Sequence, residues 1–311
     1  IGGPPSHSAI LARALQVPAV LGLAGATALL KPGSFVIVDG TEGQVLPEPV
    51  DEVVQSYRRN RASFLRRRRR LNKFRGKPTQ AASGEGYGLY CNISSPQDAE
   101  KALEADGEGV GLFRTEFLFM DRDKLPGEEE QFRAYKRAAQ VLDGRPLTIR
   151  TLDVGGDKAL PYLKMPKEDN PFLGLRGIRY CLQHPDILFT QLRAILRASA
   201  WGDVRLLFPM ISTPEELWAG KALLEKAKAE LTAQGVAFAP SIPVGIMVET
   251  PSAAVLADVL ARDSDFFSIG TNDLTGYLLA CDRNNPQVSG LFSALQPSVL
   301  RMLKQVIDCA H

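Results

Sequence analysis

Two stretches of the sequence place a carboxylate directly after a short apolar run. Residues 266–269 are mostly apolar, and Asn272 and Asp273 follow them. Residues 244–248 have the same character and lead into Glu249. This order is typical of a buried parallel strand with polar residues at its carboxyl end. Carboxylate and amide oxygens suit Mg²⁺, so Glu249 and Asp273 are predicted to hold one such ion.

Basic side chains follow the ends of other predicted strands or lie in the loops beside them. The carboxyl ends of parallel strands meet at one mouth of a barrel, so these side chains would collect around the predicted cation. Isolated surface charges would have no reason to follow strand ends. Basic groups around a metal suit a small molecule that carries phosphate and carboxylate groups. The candidate binding residues are Arg114, Arg150, Lys158, Arg176 and Arg283, with the amide of Asn272.

His7 is the second candidate for chemistry, and it is one of only three histidines. Ser6 is predicted to cap a helix that would place His7 in its first turn. The backbone N–H groups and the positive dipole end there favour an anion, such as a phosphoryl group on the ring. The alternative is a structural or exposed histidine, which is commoner for a single His. His184 and His311 have no such setting and are interpreted as surface residues.

Strands and helices alternate from residue 88 onward, and this order predicts a parallel α/β barrel. A closed barrel of this kind has eight β/α units, and the sequence contains six. The predicted strands are residues 89–93, 109–113, 147–149, 205–210, 244–248 and 266–269. The predicted helices are residues 95–103, 128–141, 185–198 and 213–234, with a last one that reaches His311.

The first part of the chain has a different pattern. Residues 1–50 read as a small domain with a helix over 9–15, a strand over 18–22 and a hairpin over 35–46. Residues 51–74 have helical periodicity, and we assign residues 51–84 to a linker helix and loop. The barrel domain would then occupy residues 85–311.

The totals exclude several classes of protein. The chain has 311 residues, a length that favours two domains over one. Its formal net charge of +2 gives no information about a polyanionic partner. No apolar run approaches the roughly 20 residues of a membrane span, so no membrane insertion is expected. The four cysteines are far apart and fit no metal-binding spacing. They indicate a reduced, cytoplasmic protein.

An arginine run, Arg66–Arg70, admits two interpretations. It could bind nucleic acid, or it could be the solvated face of the linker helix. No aromatic residues alternate with the arginines, and acidic residues balance the total charge. We therefore favour the solvated helix and expect no nucleic-acid partner.

Several segments resemble the phosphoenolpyruvate-utilising enzymes. Residues 2–13, Gly-Gly-Pro-Pro-Ser-His-Ser-Ala-Ile-Leu-Ala-Arg, resemble the phosphohistidine signature of that family, and residues 268–275 resemble its metal-binding signature. Within the family, the similarity is greatest to the enzyme I group of the sugar phosphotransferase systems or to its fused multiphosphoryl transfer relatives. The segments that indicate this group are residues 111–120, 150–158, 168–174 and 281–284. The resemblance covers nearly the whole chain.

The resemblance implies a phosphoenolpyruvate–protein phosphotransferase. Phosphoenolpyruvate would bind at the mouth of a (β/α)₈ barrel, with Mg²⁺ on Glu249 and Asp273. His7, on a swivelling phosphohistidine domain, would be the catalytic nucleophile and pass the phosphoryl group to the carrier protein HPr. The helix over residues 51–74 would be the lever between domains, and the protein would form a homodimer through the barrel. The residues that match the family's phosphate and carboxylate ligands are Arg114, Arg150, Arg176, Arg283, Lys158 and Asn272.

The sequence departs from the family pattern at several points. Pro5 stands where the family usually has Thr, and Gly276 stands where Gln is usual. The chain opens without Met and stops in the sixth unit, so we expect a piece of a longer protein. Such a piece would lack the HPr-docking subdomain, the last two strands and the Cys-Gly-Glu motif whose thiol protonates the enolate. Cys309 precedes the place of that motif and is not assigned its role.

Two other hypotheses stay open. A pyruvate phosphate dikinase or phosphoenolpyruvate synthase would share these motifs but would need an ATP-binding domain. A fragment that binds phosphoenolpyruvate without catalysis would keep the ligand site and transfer nothing. Residues 281–284 favour the phosphotransferase, whereas Pro5 is the residue that would favour the non-catalytic fragment.

Overall fold

The computed structural model describes residues 12, 17–120, 122–156, 160, 162–163, 165, 168–283, 285 and 287–311. His7 and Lys158 lie outside these residues, as does almost all of the predicted helix over residues 9–15. Contacts divide the chain into two compact units, residues 1–77 and 78–311. The predicted boundaries after residues 50 and 84 stay predictions.

In its described residues, the first unit contains a hairpin and two helices. Strand β1 (Val36–Asp39) pairs antiparallel with β2 (Gln44–Pro47), as the sequence predicts. A short helix, α1 (Ala26–Leu29), precedes them. Residues 18–22 form no strand, and this prediction is wrong. Gly22 has a φ of 73°, a left-handed conformation that interrupts an extended segment.

Helix α2 (Asp51–Asn72) is the long helix that the periodicity predicts. It has acidic residues in its first turn and Arg69 and Arg70 in its last, which suits the helix dipole at both ends. None of its residues is buried, and the run Arg66–Arg70 is exposed.

The second unit is built on one sheet of six parallel strands whose spatial order is their order in the chain. Adjacent strands are therefore always joined by a crossover, which is the winding of a (β/α) barrel wall. The predicted six β/α units are confirmed. The strands are β3 (Cys91–Ile93), β4 (Val110–Arg114), β5 (Leu147–Arg150), β6 (Val204–Phe208), β7 (Val244–Val248) and β8 (Phe266–Ile269).

Helices follow the strands, and the four long predicted ones are present with ends shifted by a few residues. Three short helices and the first helix after β8 were not predicted, because four to nine residues show too little periodicity. The helices are α3 (Asp98–Glu104), α4 (Glu128–Leu142), α5 (Ile178–Gln183), α6 (Pro185–Ser199), α7 (Pro214–Ala233), α8 (Pro251–Val255), α9 (Ala257–Leu260), α10 (Thr271–Leu279) and α11 (Pro297–Ala310). No helix in the described part of the chain is long and apolar enough to cross a membrane.

The core lies between the sheet and these helices. Every residue of β5 and of β7 is buried, as expected for parallel strands that are covered on both faces. Phe113 of β4 packs edge-on against Tyr135 of α4, with ring centroids 5.8 Å apart. The buried Tyr135 hydroxyl donates to Gln131 and accepts from Gln191 of α6, so the core satisfies the hydrogen-bonding capacity of this polar group.

Candidate functional site

The register of the sheet brings the carboxyl ends of the strands to one edge. Arg114, the last residue of β4, is the direct partner of Arg150, the last residue of β5. Val248 of β7 is likewise paired with Ile269 of β8. Glu249 therefore leaves the sheet beside the turn into α10. This edge is where barrel enzymes place their active sites.

Five side chains at this edge form a chain of alternating charge. Arg150 donates from Nη2 to Glu116 Oε1 over 2.8 Å, and its Nη1 lies 3.3 Å from Asp153 Oδ2. Arg176 donates two hydrogen bonds to the same Asp153, from Nε to Oδ1 over 3.1 Å and from Nη2 to Oδ2 over 3.2 Å. Arg176 Nη1 then donates to Asp273 Oδ1 over 2.9 Å.

Most of these charges are withdrawn from water. Arg150 is 4% exposed, Arg176 2% and Asp153 0%. A buried charge is costly unless it is paired and hydrogen-bonded, so the alternation of sign is what makes the arrangement stable. Burial lowers the pKa of the Arg150 guanidinium, but the neighbouring charges of Glu116, Asp153 and Glu249 raise it by more. Arg150 therefore stays charged.

Glu249 is buried beside the turn into α10. It is 1% exposed, and its Oε1 accepts a 2.7 Å hydrogen bond from the Met210 backbone N–H. A Cβ on Gly270 would lie 2.6 Å from Glu249 Oε2, so only glycine leaves room for this carboxylate. Burial and the charge of Asp153 raise the pKa of Glu249 to about 8, although Arg150 opposes the shift.

Side chains from the core hold the chain that follows β5. The Leu152 N–H donates to Gln191 Oε1 over 2.8 Å, and the Asp153 N–H donates to Glu116 Oε1 over 3.2 Å. Gln191 also donates to the hydroxyl of Thr115, which donates to the Arg150 carbonyl. Buried side-chain hydrogen bonds thus fix the backbone that carries Asp153.

Glu116 and Asp153 were missed by the sequence analysis. Each lies two or three residues beyond a predicted arginine ligand, in the segments Arg114-Thr115-Glu116 and Arg150-Thr151-Leu152-Asp153. A carboxylate so close to a predicted strand end was the available signal. The sequence pattern does not show that the side chains of Glu116 and Asp153 are buried.

The structure brings some of the predicted site residues together. Arg176 contacts Asp273, and the charges of Asp273 and Arg150 both act on Glu249. Arg114, by contrast, is exposed and donates to Ser94 Oγ, with its guanidinium 5.7 Å from the ring centre of Phe117. Asn272 and Arg283 are exposed as well. The structure does not describe His7 or Lys158.

The donor set suits a divalent cation that takes some of its ligands from a substrate. Glu249 and Asp273 offer carboxylate oxygens, which Mg²⁺ prefers, and two such ligands leave positions for waters and substrate oxygens. Of the described residues, no group of three or more His, Cys, Asp or Glu could hold a metal alone. Four carboxylates, those of Glu116, Asp153, Glu249 and Asp273, face the guanidinium groups of Arg150 and Arg176. When all are ionised, two negative charges are in excess, which a dication would neutralise.

Comparison with known proteins identifies the family. Residues 68–311 match the model of the PEP-binding domain of PEP-utilising enzymes, where PEP is phosphoenolpyruvate. Residues 1–43 match that of the mobile domain of the same enzymes. The chain belongs to the PEP-utilising enzyme family.

Three relatives illustrate the similarity, and each carries the name phosphoenolpyruvate-protein phosphotransferase. All 311 residues align with each relative, at 50% identity for Geobacillus stearothermophilus, 49% for Bacillus subtilis strain 168 and 48% for Staphylococcus carnosus. The chain spans about half the length of these relatives, 54% or 55%. Its six-stranded barrel wall is therefore that of a PEP-binding domain, and the predicted family is confirmed.

The two arginines at the ends of β4 and β5 are expected to differ in their effect on stability. Arg150→Met removes the ion-pair partner of the buried Glu116 and one of the two buried arginines that contact Asp153, which should lower the free energy of unfolding by about 3–5 kcal/mol. Arg114→Met removes an exposed side chain and should change it by less than about 0.5 kcal/mol. Urea unfolding followed by circular dichroism measures both values. Equal losses of unfolding free energy in the two variants would show that the buried ion pairs of Arg150 do not contribute to stability more than the exposed Arg114 does.

The raised pKa of Glu249 predicts a pH dependence of stability when divalent ions are chelated. Between the ordinary pKa of 4.5 and the folded value of about 8, the folded state binds more protons than the unfolded state. This contribution to stability is complete below pH 4.5 and is lost as the pH rises towards 8, by up to about 1.4 kcal/mol per pH unit.

Glu249→Gln keeps the shape of the side chain and removes the titration. Its free energy of unfolding should therefore decline less with pH than that of the wild type. Urea unfolding across this pH window, with a chelator present, measures the two slopes. Parallel curves would mean that Glu249 titrates normally in the folded protein.

Proposed function

We propose that this chain is the PEP-binding and phosphohistidine part of a phosphoenolpyruvate–protein phosphotransferase. It would take the phosphoryl group of PEP onto His7 and pass it to the carrier protein HPr of a sugar phosphotransferase system. The main support is the identity of about one half, over the whole chain, to proteins of that name. The alternating charges at the strand ends are a second support.

The chemistry of this transfer depends mostly on positioning and on neutralising charge. The P–O bond to the enolate breaks, a P–N bond to a neutral imidazole nitrogen of His7 forms, and the enolate takes a proton to become pyruvate. Glu249 and Asp273 would hold Mg²⁺, which when bound draws charge from the leaving enolate. The groups proposed to bind the phosphate and carboxylate are those of Arg114, Arg150, Arg176, Arg283, Lys158 and Asn272.

The buried arginines suit this task because their geometry is set before any substrate arrives. Arg150 and Arg176 are each held by carboxylates, so their positive charge costs little reorganisation during the reaction. Arg114 and Arg283 are exposed, so they can adjust to an incoming anion. This division of arginines supports the binding of a small, highly charged substrate.

We propose further that the protein works in the cytoplasm as a homodimer through its barrel. The four cysteines are all free thiols, which suits a reducing compartment. The dimer rests on the resemblance to the family.

Radiolabelled PEP tests the proposed transfer. The full-length protein that contains this chain, incubated with Mg²⁺ and without ATP, should acquire an acid-labile, base-stable label on His7, and the label should move to added HPr. His7→Ala should abolish it. His184→Ala is the matched control and should label normally, since the His184 ring packs on Tyr180 and is assigned no role.

The other outcomes of this experiment separate the alternatives. A label that requires ATP would indicate a dikinase or synthase. Tight PEP binding without any label would indicate a non-catalytic fragment. Normal labelling of His7→Ala would rule out the proposed nucleophile.

The metal ligand Asp273 gives a separate prediction. Asp273→Ala removes one of two proposed carboxylate ligands, so the Mg²⁺-dependent labelling should be lost. Asp258→Ala removes an exposed acid on α9 and should leave the labelling unchanged. Labelling of Asp273→Ala at the wild-type rate would contradict the metal assignment.

A further inference from the structure

Asp153 is the central member of the chain of alternating charge at the carboxyl edge of the sheet. It is fully buried, and it is the only described residue that contacts both Arg150 and Arg176 through ion pairs. Both of its oxygens accept from the Arg176 guanidinium in a two-pronged arrangement, the geometry that fixes an arginine most firmly. It follows β5 by three residues, and its backbone is anchored by Glu116.

The two hydrogen bonds from Arg176 to Asp153 determine which nitrogen of Arg176 can donate to Asp273. With Nε and Nη2 bound to Asp153, only Nη1 is directed to Asp273. The same Nη1 lies 3.4 Å from the hydroxyl of Tyr277. Asp273 thus accepts a hydrogen bond from the Arg176 guanidinium, whose positive charge is already compensated in part by Asp153.

We infer that Asp153 is a positioning residue that compensates the charge of Arg176, weakens the hold of Arg176 on Asp273 and so allows Asp273 to bind a divalent cation. The inference rests on the metal site under the proposed function, and it gives a role to a residue of the segment 150–158 to which the sequence analysis assigned none. Asp153 itself is not proposed as a ligand of the metal.

Two electrostatic arguments lead to the same conclusion. Without the carboxylate of Asp153, the positive charge of Arg176 would face Asp273 alone, bind it more tightly and repel a dication. The same loss would reduce the excess of negative charge at the site from two to one. At the low effective dielectric of a buried site, both changes weaken the binding of a cation.

Asp153→Asn tests the inference because it keeps the size of the side chain and removes its charge. Titration calorimetry with Mg²⁺, and electron paramagnetic resonance with Mn²⁺, measure cation affinity without any turnover. The affinity of Asp153→Asn for both ions should fall by about 10- to 100-fold, the usual effect of altering a group that supports a metal ligand.

Glu216→Gln is the matched control. It neutralises the carboxylate of the Arg179–Glu216 ion pair, whose N···O distance is 2.9 Å, beyond the end of β6. Among the described residues, the other hydrogen-bond partners of this pair are Ser212 and Thr213 rather than the proposed metal ligands, so the control should keep the wild-type affinity. A loss of cation affinity in both variants would mean that any altered ion pair has this effect, and it would overturn the inference.

A double variant separates the proposed role from a structural one. If Arg176 competes for Asp273 once Asp153 is neutral, then Asp153→Asn combined with Arg176→Met should recover most of the lost affinity. A double variant that binds Mg²⁺ no better than Asp153→Asn overturns the inference. If Asp153→Asn alone fails to fold, the Mg²⁺ affinity of the double variant is compared with that of the wild type instead.

The wild-type titration separates this inference from the proposed function. A wild type that does not bind Mg²⁺ would overturn the metal site and the inference with it. A wild type that binds Mg²⁺, with an unchanged affinity in Asp153→Asn, would overturn the inference alone and leave the proposed function intact.

Discussion

The need to pair buried charges governs the architecture of this site. Glu116, Arg150, Asp153 and Arg176 are each less than 5% exposed, and an unpaired charge at that depth would cost several kcal/mol. Alternation along the chain from Glu116 to Asp273 meets this need with ion pairs of 2.8–3.3 Å. Removing one member therefore affects its neighbours, so the site responds to substitution as a unit rather than residue by residue.

The sheet and the core supply the rigidity that such a chain of charges requires. Parallel pairing brings the ends of β4 and β5 level, and Gln191 of α6 holds the backbone beyond β5. Gln191 is in turn bonded to Tyr135, whose ring packs on Phe113. The hydrophobic core and the charged edge are thus joined by buried hydrogen bonds, and the positions of the guanidinium groups depend on both.

The arginines at the edge fall into two classes that the sequence does not distinguish. Arg150 and Arg176 are buried and saturated with carboxylates, whereas Arg114 is exposed and contacts a hydroxyl and an aromatic ring. For phosphoryl transfer as proposed, the buried class would provide a fixed positive field and the exposed class an adjustable one. The four carboxylates outnumber the two buried guanidinium groups, and the proposed dication would offset the negative charge that remains.

Much of the organisation followed from the sequence alone. The order of β/α units, the long helix α2, the strand ends that bear Glu249 and Arg150, and the family itself are properties of local pattern and motif. The strand over residues 18–22 failed because an apolar run says nothing about a partner strand or about the left-handed Gly22. Local patterns predict elements well where periodicity is long and poorly where it is short.

The partners of each charge were decided only by the tertiary structure. Glu116 and Asp153 are part of the site because the parallel register places Arg114 beside Arg150 at the ends of β4 and β5. The carboxylates that follow these strand ends then contact the buried Arg150. The contact between Arg176 and Asp273 joins residues 97 positions apart, and no local pattern encodes such a pairing. Sequence determined which chemical groups reach the carboxyl edge, and packing in three dimensions decided which of them are buried, neutralised or free to bind, because burial and pairing depend on neighbours that are distant in the chain.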